Sequence, residues 1–257
     1  MKRLSLTLLA VAIILSGCCS TQTADHITQT STIDALLAGM YDGDMTCGEL
    51  LENGDFGIGT FDTLDGEMIV HKGKLYQIKA DGHVHRPAMS TKTPFASVCQ
   101  FNPEIQFQIQ TANFKAVNAI IDEKIPNQNL FVAIEITGTF KYVKTRSVPA
   151  QKKPYPPLSE VAKTQPIFKR QNVVGTIVGF RCPAFVKGIN VPGYHFHFLS
   201  DDKNFGGHIL EFQLDSGLCK ADICNKYTLV LPQSDILKDL DLSQDKSEEL
   251  EKVEMGN

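Results

Sequence analysis

The stretch "GYHFHFLSDDKNFGGHILEFQL", residues 193–214, contains three of the chain's seven histidines: His195, His197 and His208. Side chains on a strand alternate between its two faces, so His195 and His197 share one face while Tyr194, Phe196 and Phe198 share the other. The aromatics are expected to pack inward on a sheet, leaving two imidazoles side by side about 7 Å apart along the strand. "SDDKNFGG" is rich in turn residues, so "HILEFQL" is expected to return antiparallel. With the loop centred between Asp202 and Lys203, His197 falls opposite His208, and all three imidazoles meet on one face.

Three neutral imidazoles on a sheet face suit an ion such as Zn2+, bound at about 2.0–2.1 Å with a fourth position open to water or substrate. An open position points to catalysis rather than to a structural site. The bland alternative is a polar strand whose histidines happen to alternate, and one histidine alone would favour it. His83 and His85, in "ADGHVHRP", have the same i, i+2 form but no aromatics between them and no third histidine close by. They read as surface residues in a turn. "LDGEMIV" sets Glu67 after a Gly turn at the head of an apolar strand, where a carboxylate needs a partner. "VKTRSV" puts Arg146 near a strand end. Taken singly, each reads as well as a solvated charge.

Working outward, "FGIGTF", "GEMIVHKGKLYQI" and "HVHRPA" look like strands joined by Gly turns, with "HKGK" as a hairpin tip. "EIQFQIQ" alternates strictly and predicts a half-buried strand. Residues 112–124 carry apolar positions at helical spacing, and residues 129–148 form a β-branched and aromatic run of one or two strands. Thr46 and Glu49 in "TCGELLENG" make a capping box that starts a short helix. Another short helix is expected in "STIDALLAGMYDGD". Residues 149–170 hold five of the twelve prolines and read as the connection between two halves, 31–148 and 149–257. The acidic tail "DLSQDKSEELEKVEMGN" predicts a helix. "GTF" at 59–61 and "GTI" at 175–177 hint at a repeated β unit, on only three residues.

The 257 residues are 42% hydrophobic and 21% charged, enough to bury a sizeable core. A formal charge of −4 without any basic run argues against nucleic acid as a partner. "MKRLSLTLLAVAIILSGCCS" reads as an export signal whose apolar run is too short to span a bilayer. "LSGC" resembles a bacterial lipoprotein box: residues 1–17 would be removed, Cys18 lipidated, and residues 18–30 left as a flexible tether. The alternative is an ordinary cleaved signal with Cys18 incidental. Loss of Lys2 and Arg3 with the leader takes the charge from −4 to −6. Membrane contact is then expected only through the Cys18 anchor. Cys47, Cys99 and Cys182 stand isolated among apolar residues and read as buried free thiols. Cys219 and Cys224, in "CKADIC", allow a small disulfide loop that spacing alone cannot establish.

Together, "LLAGMYDGDMTCGELLENGDFGIGTFDTLDGEMIV", "KTPFA", "GTFKYVKTRSVP", "PPLSEVAKTQP", "GTIVGFRCP" and "GYHFHFLSDDKNFGGHILEF" resemble the α-acetolactate decarboxylase family, in family order from about Ser31 to the C-terminus. The resemblance implies decarboxylation of 2-acetolactate to (R)-acetoin by way of an enediolate stabilised by one zinc ion per chain. It places that zinc on His195, His197 and His208, with Glu67 and Arg146 beside it. A second glutamate maps to Glu254, with Glu251 close by. The implied fold is of the α/β class in its α+β form: two strand-rich halves with mixed β-sheets, a few short helices, and the metal site on a sheet face of the C-terminal half. A homodimer is also implied. The competing reading is an exported zinc-binding lipoprotein without catalytic activity.

Overall fold

The computed structural model describes residues 25–233 and 235–255, so the leader, Cys18 and Cys19 lie outside the described residues. The first half of the chain forms strands β1 (His26–Thr30), β2 (Met45–Thr46), β3 (Phe56–Thr60), β4 (Glu67–His71), β5 (Lys74–Ile78), β6 (Val84–His85), β7 (Lys92–Thr93) and β8 (Ala96–Cys99). It continues through β9 (Ile105–Asn113) and β10 (Phe131–Arg146). The second half adds β11 (Ile167–Cys182), β12 (Gly193–Ser200), β13 (Gly206–Cys224) and β14 (Lys226–Val230). Helices are short: α1 (Ile33–Leu37), α2 (Cys47–Leu51), α3 (Phe114–Lys124), α4 (Leu158–Ala162) and α5 (Ser247–Met255). Among the described residues, no helix is long and apolar enough to cross a membrane.

Two sheets carry the fold. The seven-stranded sheet runs β14-β1-β8-β3-β4-β5-β6, mixed because β1 and β14 are parallel. The five-stranded sheet runs β10-β11-β12-β13-β9, and β10 also pairs with β13, which closes the order on itself. Inside that closed sheet lie Ile134, Phe140, Phe196, Phe198 and Phe212, with Val117 and Ile121 of α3 packed against them. Burying each Phe contributes roughly 2–3 kcal/mol. Its other face meets the seven-stranded sheet through Phe180, Val178 and Leu199 against Ile27, Phe56 and Ile69. Phe196 and Phe198 thus enter the core as alternation predicts, and the histidines between them face the second sheet.

Local chemistry sets the ends of the elements. The Thr46–Glu49 capping box opens α2 as expected. The Asn113 side chain accepts from the Ala116 N–H and starts α3. Beyond the far end of α3, the buried Arg181 of β11 donates to the Ile125 carbonyl at 2.8 Å and the Asn127 carbonyl at 3.0 Å, and pairs with Asp122. Within residues 129–148 the structure has one 16-residue strand, β10, long enough to serve two neighbours at once.

Several expectations change. Residues 26–30 are not tether but strand β1, hydrogen-bonded between β14 and β8. Their polar composition conceals this because Gln29, fully buried, finds partners throughout: its amide donates to Ser31 and Ile189 carbonyls, and its oxygen accepts from Ser97 and Asn190. The proline segment lies between the two strand-rich halves, which share the five-stranded sheet: β9 and β10 come from before it, β11, β12 and β13 from after it. "HVHRPA" supplies only the two-residue β6. The tail helix begins at Ser247, later than its acidic composition suggests. Cys219 and Cys224 are both buried free thiols, as are Cys47, Cys99 and Cys182. Five residues apart on one strand, they point to opposite faces, Cys219 into the closed core and Cys224 into the layer between sheets.

Because β1 is internal to its sheet, a chain beginning at Ser31 should lose cooperative unfolding, while one beginning at Asp25 keeps it. Losing the strand removes stability comparable to the whole, on the order of 5–15 kcal/mol. Urea unfolding followed by circular dichroism measures the difference, and equal midpoints would show β1 to be dispensable.

Candidate active site: histidines, carboxyls and an arginine between the sheets

The β12–β13 hairpin pairs His197 with His208, the register drawn from the loop centre. His195, two residues earlier on β12, joins them, with ring centroids 5.0–5.5 Å apart. Gly207 makes the approach to His208 possible: its φ is +127°, and a Cβ there would lie 2.4 Å from the Arg146 carbonyl oxygen. Arg146 ends β10 directly opposite His208. From the other sheet comes Glu67, the first residue of β4. It follows Gly66, whose φ is +90° and whose Cβ would sit 2.3 Å from the Ile78 carbonyl oxygen.

Arg146 Nη1 donates to Glu67 Oε1 at 3.2 Å, and Nη2 lies 3.9 Å from Glu254 Oε1. Glu254, on the last turn of α5, brings Oε2 to 3.8 Å from His208 Nε2 and 3.9 Å from His195 Nε2. Glu251 is exposed on the same helix and away from the imidazoles. The second carboxyl of the site is therefore Glu254. Ile33 and Leu36 of α1, with Val253 of α5, complete a cavity of about 40 Å3, room for a few water molecules.

Burial determines the protonation of the cluster. It pushes His195 down to about 3, with Arg146 adding to the effect, and drives His197 and His208 well below the usual histidine range. All three imidazoles are neutral at neutral pH. Burial pushes Glu67 up to about 7; Arg146 opposes this and Glu254 reinforces it. Burial raises Glu254 to about 7 as well, again with Arg146 opposing. One guanidinium thus stands among carboxyls that hold protons near neutrality.

The tautomers follow from the neighbours. His197 Nδ1 lies 2.8 Å from the Met68 carbonyl, which can only accept, so Nδ1 carries the proton. Its Nε2 lone pair is then free, and that atom is buried with no hydrogen-bond partner. His208 Nε2 is held in the same way by the Glu254 carbonyl at 3.3 Å, so its Nδ1 is the acceptor in the 3.1 Å hydrogen bond with His195 Nε2. Ligand atoms of the three histidines all lie within 4.8 Å of one another, a group able to hold a metal ion. The orphaned lone pair of His197 and the neutral donor set fit zinc.

His83 and His85 lie outside the cluster; His85 pairs with Asp81 at 3.1 Å in a surface turn. Sequence reasoning missed the Met68 carbonyl, which orients His197 through backbone rather than side chain. It also missed a second buried histidine contact, His71 with Glu135 at 2.8 Å, far from the site in sequence pattern and joined only by the fold.

Neutral imidazoles, proton-holding carboxyls and a guanidinium in one buried pocket define an enzyme that acts on a small anionic molecule. The alpha-acetolactate decarboxylase family model matches residues 27–244. The chain is 44% identical over 236 residues to alpha-acetolactate decarboxylase of Methanosarcina mazei, covering 91% of this chain and 82% of that one. It is 42% identical over 232 residues to the Methylococcus capsulatus enzyme, covering 90% and 89%. The crystal structure of the Bacillus subtilis strain 168 protein superposes with a TM-score of 0.87 at 39% identity, covering 90% of this chain and all of that one. The chain belongs to this family of carboxy-lyases. Glu254 lies beyond the matched residues, and its place in the site comes from the position of α5.

The raised carboxyl gives a test of the site without substrate. Glu67 binds its proton more tightly folded than unfolded, so its contribution to stability is complete below about 4.5 and lost as pH rises through about 7. Glu67→Gln removes that loss. In chelator, the variant should gain on wild type by roughly 3 kcal/mol between pH 4.5 and 8. Urea unfolding at both pH values measures this; a constant difference would show that Glu67 titrates normally.

Proposed function

We propose that this protein decarboxylates 2-acetolactate to (R)-acetoin, using one zinc ion held by His195, His197 and His208. The observation that carries the proposal is the convergence of three neutral imidazoles with Glu67, Arg146 and Glu254 in one buried pocket. The names of the relatives support the substrate. A bare zinc-storage lipoprotein would need the imidazoles but not two proton-holding carboxyls and a buried arginine beside them.

2-Acetolactate has a ketone next to the carbon that bears hydroxyl and carboxylate. When CO2 leaves, the electron pair of the broken bond flows toward the ketone and gives an enediolate. Bound zinc supplies a Lewis acid for those electrons, so the reaction needs no organic cofactor. Arg146, already among the carboxyls, takes the substrate's anionic group through its planar guanidinium. Burial raises Glu67 and Glu254 each to about 7 in the metal-free pocket, so the pair keeps a proton near neutrality. One of them returns a proton to a single face of the enediolate carbon, which sets the chirality of the product. The apolar side chains of Ile33, Leu36 and Val253 limit the water that could protonate the other face.

Export, lipid attachment at Cys18 and a homodimer belong to the same proposal, supported by the "LSGC" leader and by the family resemblance. Stable anchoring needs the several acyl chains that a lipoprotein carries. Cys18→Ser should release the protein from membranes into the soluble fraction, and a mature N-terminus elsewhere, found by mass spectrometry, would rule the anchor out.

The enzymatic proposal is tested by adding 2-acetolactate to the purified, zinc-loaded chain and measuring acetoin by chiral chromatography. His197→Ala should lose the histidine-bound metal and turnover together. Glu67→Gln should retain the metal while turnover falls by roughly 10²-fold or more, the scale of a lost general acid. Normal turnover with unchanged product chirality in that variant would transfer the donor's role to Glu254. Zinc binding without any acetoin would favour storage instead.

A further inference from the structure

We propose that Cys99, Asp222 and Cys224 form a second cation site, for a thiophilic divalent ion of the zinc type, that pins the two sheets together. Cys99 ends β8 in the seven-stranded sheet, while Asp222 and Cys224 lie near the end of β13 in the five-stranded sheet. Two residues apart on a strand, Asp222 and Cys224 face the same way. All three side chains are fully or almost fully sealed, at 0%, 0% and 1% exposure. One ligand atom from each lies within 4.8 Å of the others. Ligands at about 2.0–2.3 Å from a tetrahedral ion stand about 3.5 Å apart, so the group closes around one by drawing in by about 1 Å.

Asp222 supplies the independent observation. Its Oδ2 accepts from the Asn102 backbone N–H at 2.7 Å, but its Oδ1 is buried without any hydrogen-bond partner. A bare carboxyl oxygen among Ile27, Phe56 and Phe180 is costly unless something positive meets it. A carboxylate oxygen of Asp222 lies within 4.8 Å of both sulfurs, and the Glu104 carboxyl also stands beside it; burial, with Glu104 adding to it, raises Asp222 to about 6, so this acidic corner lacks a positive partner. Cys99 is hydrogen-bonded to Cys224, which together with burial holds its thiol neutral. Two sulfurs and one carboxylate select a thiophilic ion over Mg2+ or Ca2+, which prefer all-oxygen sets. On binding, each thiol gives its proton to solvent and becomes a thiolate ligand, with no change of oxidation state. The site is separate from the histidine cluster in both place and donor chemistry, and nothing in the decarboxylation uses it.

Cobalt(II) separates the two sites, because only a thiolate ligand gives a sulfur-to-metal charge-transfer band in the near ultraviolet. The full chain, stripped and reloaded with cobalt(II) under reducing conditions, should bind two ions and show that band. His197→Ala should keep the band and fall to one ion per chain. Cys99→Ser and Cys224→Ser should lose the band and keep the histidine-bound ion, and Asp222→Asn should weaken retention at the thiol site at least tenfold. One ion per chain with no thiolate band in the wild type overturns the proposal. A purified chain two hydrogens lighter by mass, restored by reductant and mapped to Cys99 and Cys224, overturns it in favour of a disulfide. If a serine variant does not fold, the wild-type band and ion count decide alone: both present support the site, and either missing overturns it.

Discussion

The layer between the two sheets is apolar over most of its area, and the structure depends on how its cluster of histidines, carboxyls and arginine is made tolerable. Glu67, Arg146, His197 and His208 are all buried there. One guanidinium faces two carboxyls, each raised to about 7 by burial. Ionising both carboxyls would leave an excess negative charge in a low-dielectric space, so the pair titrates as a unit with a proton to share. The histidines stay neutral for the same reason, since an imidazolium beside Arg146 would add a second positive charge. What makes the cluster tolerable also prepares it for chemistry. A site that keeps the His197 lone pair bare, its neighbouring imidazoles neutral and a carboxyl proton near neutrality can bind a cation and deliver a proton.

Backbone geometry does the positioning. His197 and His208 face each other because the β12–β13 hairpin pairs them, and Arg146 joins because β10 pairs with β13 on its other side. That second pairing exists because β10 is long enough to close the five-stranded sheet on itself. The Met68 carbonyl then fixes the His197 ring. Three imidazoles and a guanidinium are held by strand register rather than by flexible loops. Glu254 is the exception, carried by a helix whose Leu250 and Val253 pack against α1 and α4.

At the other end of the chemistry in this layer, Cys99, Asp222 and Cys224 pose the same problem with softer atoms. Both groups bridge the sheets, one through neutral nitrogens and carboxyls, the other through sulfurs and a half-satisfied carboxyl. Polar atoms sealed between two sheets have few partners to choose from, so they find one another.

Strand alternation and a centred loop determined, by sequence alone, that His195, His197 and His208 share a face and that the aromatics between them face the core. These are short-range consequences of the period-two geometry of a strand, and the pairing of His197 with His208 bears them out. The capping box of α2 and the helix in residues 112–124 are local in the same sense. Glu67 and Arg146 were legible only through resemblance, because 79 residues separate them and no local pattern brings them to 3.2 Å. Tertiary structure alone chose Glu254 over Glu251, through the rotation of α5 against its neighbours. It alone made residues 26–30 a buried strand, since the partners that satisfy Gln29 lie as far away as Asn190. It also sent Cys219 and Cys224 to different cores and put Cys99 beside Cys224. The reason is common to all of these: strand order in a sheet joins residues of any separation, and a sequence carries the period of a strand but not the identity of its neighbours.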